Sequence, residues 1–419
     1  MLYYIDTAYL KGVASVSLQD SIAEDRAMRM YRILLFVGIV FVAFNLRPGM
    51  TSVGPLIGII RDDVGLANWS AGLLTSLPLL AFAAISPIVP SISNRLTNDW
   101  TMVLGLIIIV LGISIRSISY VALLFVGTVL VGLGIAICNV LLPGVVKDKF
   151  PTKVALMTSV YSTTMGVFAA IASGLSVPLA KGLNLGWKLS LFVWTIPAII
   201  GIVIWIYLAN KNKTTHDIEE SNKTPSNGAI WRSSLAWQVA LFMGLQSSLF
   251  YVSVSWLPEI LHHNGLNITT AGWMLSYTQL IGMPVSFIVP VIAGKLKSQR
   301  ILVLILGISA LIGFSGLLFS TSFIAMVIST TFLGMTLGGC FALALTFLAI
   351  RAKTAKHAGE LSGMAQSIGY LLAASGPVFI GYLHDLTHEW TVPLIVMIGV
   401  TILVIIFGMG AGQDKYVLD

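Results

Sequence analysis

One arginine lies deep within a long apolar segment near the start of the chain. Arg47 is 15 residues after Arg32 and 14 before Arg61, which in a helix corresponds to roughly 21–22 Å on either side. A charge in such a place is costly, and it is kept where it has a partner or a purpose. No Asp or Glu occurs in the central part of any long apolar segment. We therefore expect Arg47 to bind an anion or a strongly polarised ligand, with hydrogen bonds to backbone carbonyls or helix ends as the alternative.

Two prolines follow this arginine and are expected to interrupt its helix. Pro48 has no N–H, so the Phe44 carbonyl loses its helical partner and a kink is predicted there. Pro55 allows further bending. We expect Pro48 and Pro55 to act as hinge points in a conformational cycle, although the geometry of helix packing would explain either one equally well.

Uncharged polar and aromatic residues in the other apolar segments could complete a binding site. The candidates are Asn45, Asn139, Tyr161, Gln246, Tyr251, Gln279, Gln366 and Tyr370. Gln366 and Tyr370 are four residues apart and share one helical face. For each candidate, a hydrogen bond that holds neighbouring helices together is the competing interpretation.

Sequence patterns typical of enzymes and metal sites are absent. The chain has no phosphate-binding Gly-Lys-Ser/Thr loop, nucleophile elbow, His-x-x-x-His pair or paired-cysteine motif. Cys138 and Cys340 both lie inside apolar segments, so we expect neither a disulfide nor a metal site. The sequence therefore predicts a protein that is not an enzyme, with no cofactor, no metal and no ATP-driven domain.

The elements that carry these residues are long apolar segments. Of 419 residues, 57% are apolar and 10% are charged, against about 45–50% and 25% in a typical soluble domain. A spanning helix needs about 20 apolar residues. Twelve such segments lie near 31–60, 70–92, 101–115, 121–146, 154–180, 189–209, 233–258, 270–293, 301–320, 323–350, 358–383 and 391–412. The sequence predicts an all-α membrane protein with twelve transmembrane helices.

The positive charges between these segments are unevenly distributed. With the N-terminus inside, 19 Lys and Arg residues fall on the cytoplasmic side, and only Arg61, Arg116, Lys181 and Lys188 fall on the other. An excess of Lys and Arg marks the cytoplasmic side. We expect a multi-pass protein of a bacterial cytoplasmic membrane with both termini in the cytoplasm. The net charge of +7 then needs no nucleic acid partner.

The second half of the chain repeats the first. Aligning residue n with n+200 gives 12 identities in 32 positions, among them Pro90 with Pro290. The repeat predicts two six-helix bundles related by a pseudo-twofold axis along the membrane normal. The expected divisions are an N-terminal tail 1–29, a bundle 30–209, a cytoplasmic linker 210–232, a bundle 233–412 and a tail 413–419.

This parallel six-plus-six repeat resembles the major facilitator superfamily. The strings Asn45-Leu-Arg47-Pro48, Asn139-Val-Leu-Leu-Pro143, Gln246-Ser-Ser-Leu-Phe-Tyr251 and Glu360-Leu-Ser-Gly-Met-Ala-Gln366 are similar to those of its cyanate/nitroimidazole porter family.

In the superfamily, the loop after the second helix takes part in gating. Here that loop contains Asn94 and Arg95, and Arg95 aligns with Lys295 in the second half. The resemblance implies that these three residues take part in gating, in addition to the hinge points expected at Pro48 and Pro55.

The resemblance implies a secondary active or facilitative transporter that works by alternating access. Its expected cargo is a small anion or polar nitrogen-containing solute, cyanate-like or nitroimidazole-like, with Arg47 as the anchor. One alternative is an exporter of multiple drugs or toxic compounds. Such an exporter would carry apolar cations and would be expected to have a carboxylate in its cavity. Another is a membrane receptor that binds without transporting. The expected partners are the small-molecule substrate and membrane lipid, and the expected state is a monomer.

Overall fold

The computed structural model describes residues 26, 28–66, 68–216, 228–319 and 322–418, and within these residues the chain is helical with short turns and no strands. Eleven of these helices are long and apolar enough to cross a membrane, or twelve when a bent pair is counted as one span. We number the spans α1 Met28–Leu56, α2 Asn68–Ile85 with Val89–Leu96, α3 Asn98–Arg116, α4 Val121–Lys149, α5 Val154–Gly182, α6 Gly186–Lys211, α7 Ser234–His263, α8 Ile268–Ala293, α9 Arg300–Phe319, α10 Phe323–Ile350, α11 Ala355–Thr387 and α12 Thr391–Ala411. The predicted fold class is confirmed.

Helix α1 is interrupted where the sequence predicts it. Residues 46–47 form a turn, a short helix Pro48–Thr51 follows, and Gly54–Leu56 is a single 3₁₀ turn. Because Pro48 and Pro55 have no N–H, a regular ladder of i to i+4 hydrogen bonds cannot pass through this region. A further helix, Ile57–Val64, continues from the break.

Helix α2 differs from the single span predicted near 70–92. It consists of two helices whose axes meet at 60°. The bend falls between Ile85 and Val89, in a stretch that contains Pro87 and leads into Pro90. Both prolines lack the N–H that a continuous helix would need, so the bend has a local cause.

Glycines allow the helices inside each bundle to approach closely. A Cβ atom on Gly134 of α4 would lie 2.6 Å from the Gly105 carbonyl oxygen of α3. In the second half, a Cβ on Gly338 of α10 would overlap the backbone of Gly282 on α8. Small residues at such crossings are typical of membrane bundles, because van der Waals packing drives association there.

The two halves meet along a small set of helices. Helix α11 packs against α2 and α4, and α5 packs against α8 and α10. We call the side where α1 begins and α12 ends the terminal side, and the opposite side the far side. Hydrogen bonds between the halves run from mid-depth to the terminal side: Ser367 donates to the Ala83 carbonyl (2.7 Å), Ser159 to Phe287 (2.7 Å), and Lys147 to Ala349 (3.1 Å). The halves are thus held together on the terminal side.

The predicted tails and linker are described only in part, and some of their residues are ordered on the bundle. Residues 1–25 and 27 of the predicted tail lie outside the described residues, as do 217–227 of the linker. The first residues of the predicted linker 210–232 belong to a helix, which runs over Thr195–His216. The C-terminal segment is tied to the bundle, since the Val417 N–H donates to the Arg351 carbonyl at 2.9 Å.

One of the four charges assigned to the far side is buried instead of lying in an exposed loop. Arg116 is the last residue of α3 and is only 1% exposed. Its long side chain lies inside the bundle rather than in solvent, which a count of loop charges cannot reveal.

Candidate functional site

Arg47 occupies the turn that interrupts α1, directly before Pro48. Its guanidinium carbon lies 4.8 Å from the ring centroid of Phe341 on α10 and 5.8 Å from that of Phe250 on α7. Aromatic faces attract cations at such distances. Among the described residues, no Asp or Glu side chain is within ion-pair distance of this guanidinium. The charge is therefore held by aromatic rings of the opposite half.

Two tyrosines of the second half also interact with this arginine. The Tyr251 side chain on α7 lies close enough to Arg47 to interact with it electrostatically. Tyr370 on α11 interacts electrostatically with both Arg47 and Tyr251. One guanidinium from the first half is thus surrounded by groups from α7, α10 and α11 of the second.

A network of amide side chains extends from Tyr370 back into the first half. Asn139 on α4 donates through Nδ2 to Gln366 Oε1 (2.9 Å) and to the Tyr370 hydroxyl (3.2 Å). Gln366 donates through Nε2 to the Asn139 carbonyl (3.1 Å) and to Ser362 Oγ (2.8 Å). The buried Asn139 Oδ1 has no hydrogen-bond partner among the described residues. That oxygen is an acceptor available to a ligand or a water molecule.

Five of the predicted binding residues therefore form one cluster, which we call the Arg47 cluster: Arg47, Asn139, Tyr251, Gln366 and Tyr370. It combines one permanent cation, several aromatic faces and a buried amide oxygen. The ring of Tyr370 stacks on Phe82 with centroids 4.3 Å apart, which fixes its orientation. Such a cluster can take a planar molecule that carries a negative or strongly polarised group.

The other four predicted binding residues lie elsewhere. Asn45 donates to the Phe41 carbonyl at 2.6 Å, within its own helix. Tyr161 is fully buried, and its hydroxyl has no partner in the described part of the chain. Gln246 is 2% exposed, donates to Met243 and Ser247, and borders a small cavity inside the second bundle.

Gln279 is exposed on α8. The structure does not place these four residues in the Arg47 cluster, and their roles in binding stay predictions.

The residues expected to take part in gating fall into two groups. Pro48 and Pro55 both lie in the interrupted part of α1. Asn94, Arg95 and Lys295 are exposed at the terminal-side ends of α2 and α8. Within the described residues none of these three forms an ion pair, and their role in gating stays a prediction.

Sequence reasoning missed the aromatic walls of the cluster. Phe250, Phe341 and Phe82 lie in helices that are apolar on all sides, where a phenylalanine facing a binding site looks like any other phenylalanine. The one available signal is the position of Phe250 directly before Tyr251 in a string already singled out.

Comparison with known proteins agrees with this architecture. A family model described as Major Facilitator Superfamily matches residues 35–377. An uncharacterized transporter of Bacillus subtilis, YycB, is 47% identical over 385 residues, covering 92% of this chain and 95% of its own.

Two relatives from Escherichia coli carry more specific names. The 2-nitroimidazole transporter is 39% identical, covering 92% of this chain and 96% of its own. The cyanate transport protein CynX is 24% identical, covering 88% and 96%.

Solved structures have the same fold. The proton:xylose symporter XylE superposes with a TM-score of 0.72 at 12% identity, over 93% of this chain and 97% of its own. The transporter FucP in its outward conformation gives a TM-score of 0.68 at 15% identity, over 91% and 100%. With a family model that covers most of its length and full-length relatives well above 30% identity, the chain belongs to the Major Facilitator Superfamily, and it is a multi-pass membrane transporter of small molecules rather than an enzyme.

Proposed function

We propose that this transporter moves a small anion or polar nitrogen-containing solute, with Arg47 as the substrate anchor. One observation carries the proposal: the Arg47 guanidinium has no carboxylate partner in the described residues and lies beside Phe341, Phe250 and Tyr251 of the other half. A cation balanced by neutral groups alone keeps its capacity to bind an anion.

Of the two solute types expected, the nitroimidazole-like one fits the cluster better. The two oxygens of a nitro group can accept both hydrogen bonds of a guanidinium fork. The flat ring would pack on aromatic faces such as Phe250 or Tyr370. Cyanate is linear and small, and would use the charge but not the rings. The 39% identity with a protein named 2-nitroimidazole transporter supports the same choice.

Alternating access follows from the way in which the cluster is divided between the halves. Arg47 and Asn139 belong to the first bundle, and Tyr251, Gln366 and Tyr370 to the second. A solute bound between them would connect the two halves at mid-depth. Its binding would favour closure of the far side, after which the terminal-side contacts could separate.

The same charge asymmetry supports an orientation and a location. We infer a bacterial cytoplasmic membrane with both termini in the cytoplasm, because the sequence assigns 19 Lys and Arg residues to segments on the side of the termini. The state described here, closed on the terminal side, would then face outward. A monomer suffices, since one chain supplies both halves of the site, and membrane lipid would cover the exposed apolar helix faces.

The test is binding by the purified protein. A ligand at 100 times its Kd stabilises the folded state by about 2.7 kcal/mol, which is readily measured as a shift in Tm. We expect 2-nitroimidazole to raise the Tm of the wild type and of Arg61→Ala, an exposed arginine outside the cluster, but not of Arg47→Ala.

Arg47→Lys separates the two contributions of the guanidinium, because lysine keeps the charge and loses the fork. Flux of the same solute into liposomes then tests transport. Binding that is unaffected by Arg47→Ala would refute the role of this arginine as anchor.

A further inference from the structure

A second arginine, remote from the Arg47 cluster in sequence, is buried without a counter-charge. Arg116 is 1% exposed, and its Nη1 donates to the Gly49 carbonyl of α1 at 2.6 Å. Its Nε and Nη2 are buried and have no hydrogen-bond partner among the described residues. Burial of an unpaired guanidinium lowers the stability of the folded protein. A residue kept at this cost is expected to have a specific role. Its one hydrogen bond indicates where that role lies.

The Gly49 carbonyl is available because α1 is interrupted. In a regular helix the Val53 N–H would donate to Gly49, but here it donates to the Met50 carbonyl at 3.3 Å. The break therefore leaves Gly49 without its helical donor, and Arg116 supplies one. Gly49 is only two residues after Arg47, so this bond fixes the backbone next to the proposed substrate anchor.

The second half offers an internal comparison. In the first half, Gly112 of α3 packs against Val131 of α4. In the second half, Gly313 of α9 packs against Leu333 of α10 in the same way. These two helix crossings are equivalent in the two halves. Residues that follow each glycine by the same number of positions along the chain can therefore be compared.

The buried arginine and the broken helix occur together. Four residues after Gly112 stands Arg116, and four residues after Gly313 stands Leu317, which is buried and apolar. The partner of α1 in the second half, α7, is one uninterrupted helix, Ser234–His263. The half that has no break in its first helix thus has leucine in place of the arginine.

We propose that Arg116 is a positioning residue for Arg47. By holding the Gly49 carbonyl, it fixes the interrupted segment of α1 in the geometry that directs the Arg47 side chain toward Phe341. This assignment rests on the proposed function for its relevance to substrate, but the geometric part can be measured without any solute.

The experiment reports on position 47 directly. In a chain carrying Cys138→Ala and Cys340→Ala, Arg47→Cys introduces a single thiol at the break. Its rate of reaction with a small, uncharged methanethiosulfonate reagent is measured in detergent, alone and combined with Arg116→Met, so that the lost charge of Arg116 does not itself attract or repel the reagent. The matched control is Arg351→Met, because Arg351 is also buried and donates to a backbone carbonyl, that of Ala411, far from α1.

We expect Arg116→Met to slow the labelling of position 47 by about tenfold, because without the charged hydrogen bond the segment populates the geometry that directs position 47 into the site about tenfold less. Arg351→Met is expected to lower Tm and leave the labelling rate unchanged. Equal labelling rates with and without Arg116 would overturn the proposal. If Arg116→Met does not fold, Arg116→Gln carries the same test, since its shorter neutral side chain cannot hold Gly49 in the same place.

A solute arm separates this proposal from the proposed function. In the otherwise unchanged chain, Arg116→Met should weaken 2-nitroimidazole binding by a similar factor, whereas Arg351→Met should not. If no solute binds even the wild type while the labelling difference is present, the proposed substrate fails and the positioning role stands. If 2-nitroimidazole binds the wild type but labelling is unaffected by Arg116→Met, the positioning role fails alone.

Discussion

The hydrogen bonds between Asn139 and Gln366 connect the two halves at mid-depth, and their contribution can be calculated from the structure. Asn139→Ala removes its bonds to Gln366 Oε1 and to the Tyr370 hydroxyl. At about 0.5–1.5 kcal/mol each, the loss amounts to roughly 1–3 kcal/mol. Gln366→Ala removes the first of these bonds as well as its own bonds to the Asn139 carbonyl and to Ser362. Because the two variants share one bond, their effects should not add.

The assay is a double-mutant cycle on the free energy of unfolding, measured in mixed SDS micelles. We expect the double variant to be less destabilised than the sum of the single variants by about 1 kcal/mol. Independent sites add to within about 0.3–0.5 kcal/mol, so additivity within that margin would refute a direct connection between the halves here. Asn139→Ala with Thr401→Ala is the control pair, because Thr401 bonds within α12 to the Met397 carbonyl, and this pair should be additive.

Three further predictions concern single positions. Tyr251→Phe removes a hydroxyl that interacts with Arg47 and should weaken 2-nitroimidazole binding by about tenfold, the factor for one charged hydrogen bond, measured as a smaller shift in Tm. Phe250→Leu keeps the bulk but loses an aromatic face on which the flat ring would pack; it should weaken binding of this planar solute by about fivefold and leave cyanate binding, which uses only the charge, unchanged. Gly338→Ala should lower stability by about 1–3 kcal/mol, because its Cβ would overlap α8. Gly399→Ala is the control, since Gly399 has open space around it, and it should have no effect on Tm. Equal effects of the two substitutions on Tm would contradict the packing argument.

Most of the fold could be predicted because the membrane restricts it strongly. Long apolar segments must be helical where backbone groups cannot reach water, and the matching of Pro90 with Pro290 revealed the repeat. The bend in α2 and the exact ends of the helices were not predicted. They depend on which backbone groups near the prolines form hydrogen bonds with each other, and this cannot be predicted from apolar composition.

The site was predicted in part. Polar side chains occur in apolar helices at Arg47, Asn139 and Gln366. The free-energy cost of a polar side chain inside the membrane indicates that each has a functional or structural role. Sequence could not say which way each polar residue faces, since a helix that is apolar on all sides shows no buried stripe. For that reason Gln246 was grouped with Tyr251 although it faces the interior of its own bundle. The burial of Arg116 depends on the path of α1, which is a property of the folded chain.

The closure on the terminal side relies largely on hydroxyl groups that donate to main-chain carbonyls. Ser162 already shares its hydroxyl between Ser159 of its own helix (3.2 Å) and Ser286 of the other half (3.4 Å). When the halves separate, such a hydroxyl can turn fully to its own helix and leave no polar atom without a partner. These contacts therefore add little to the activation barrier for opening, and dissolved salt would hardly change their contribution, because neither group carries a charge.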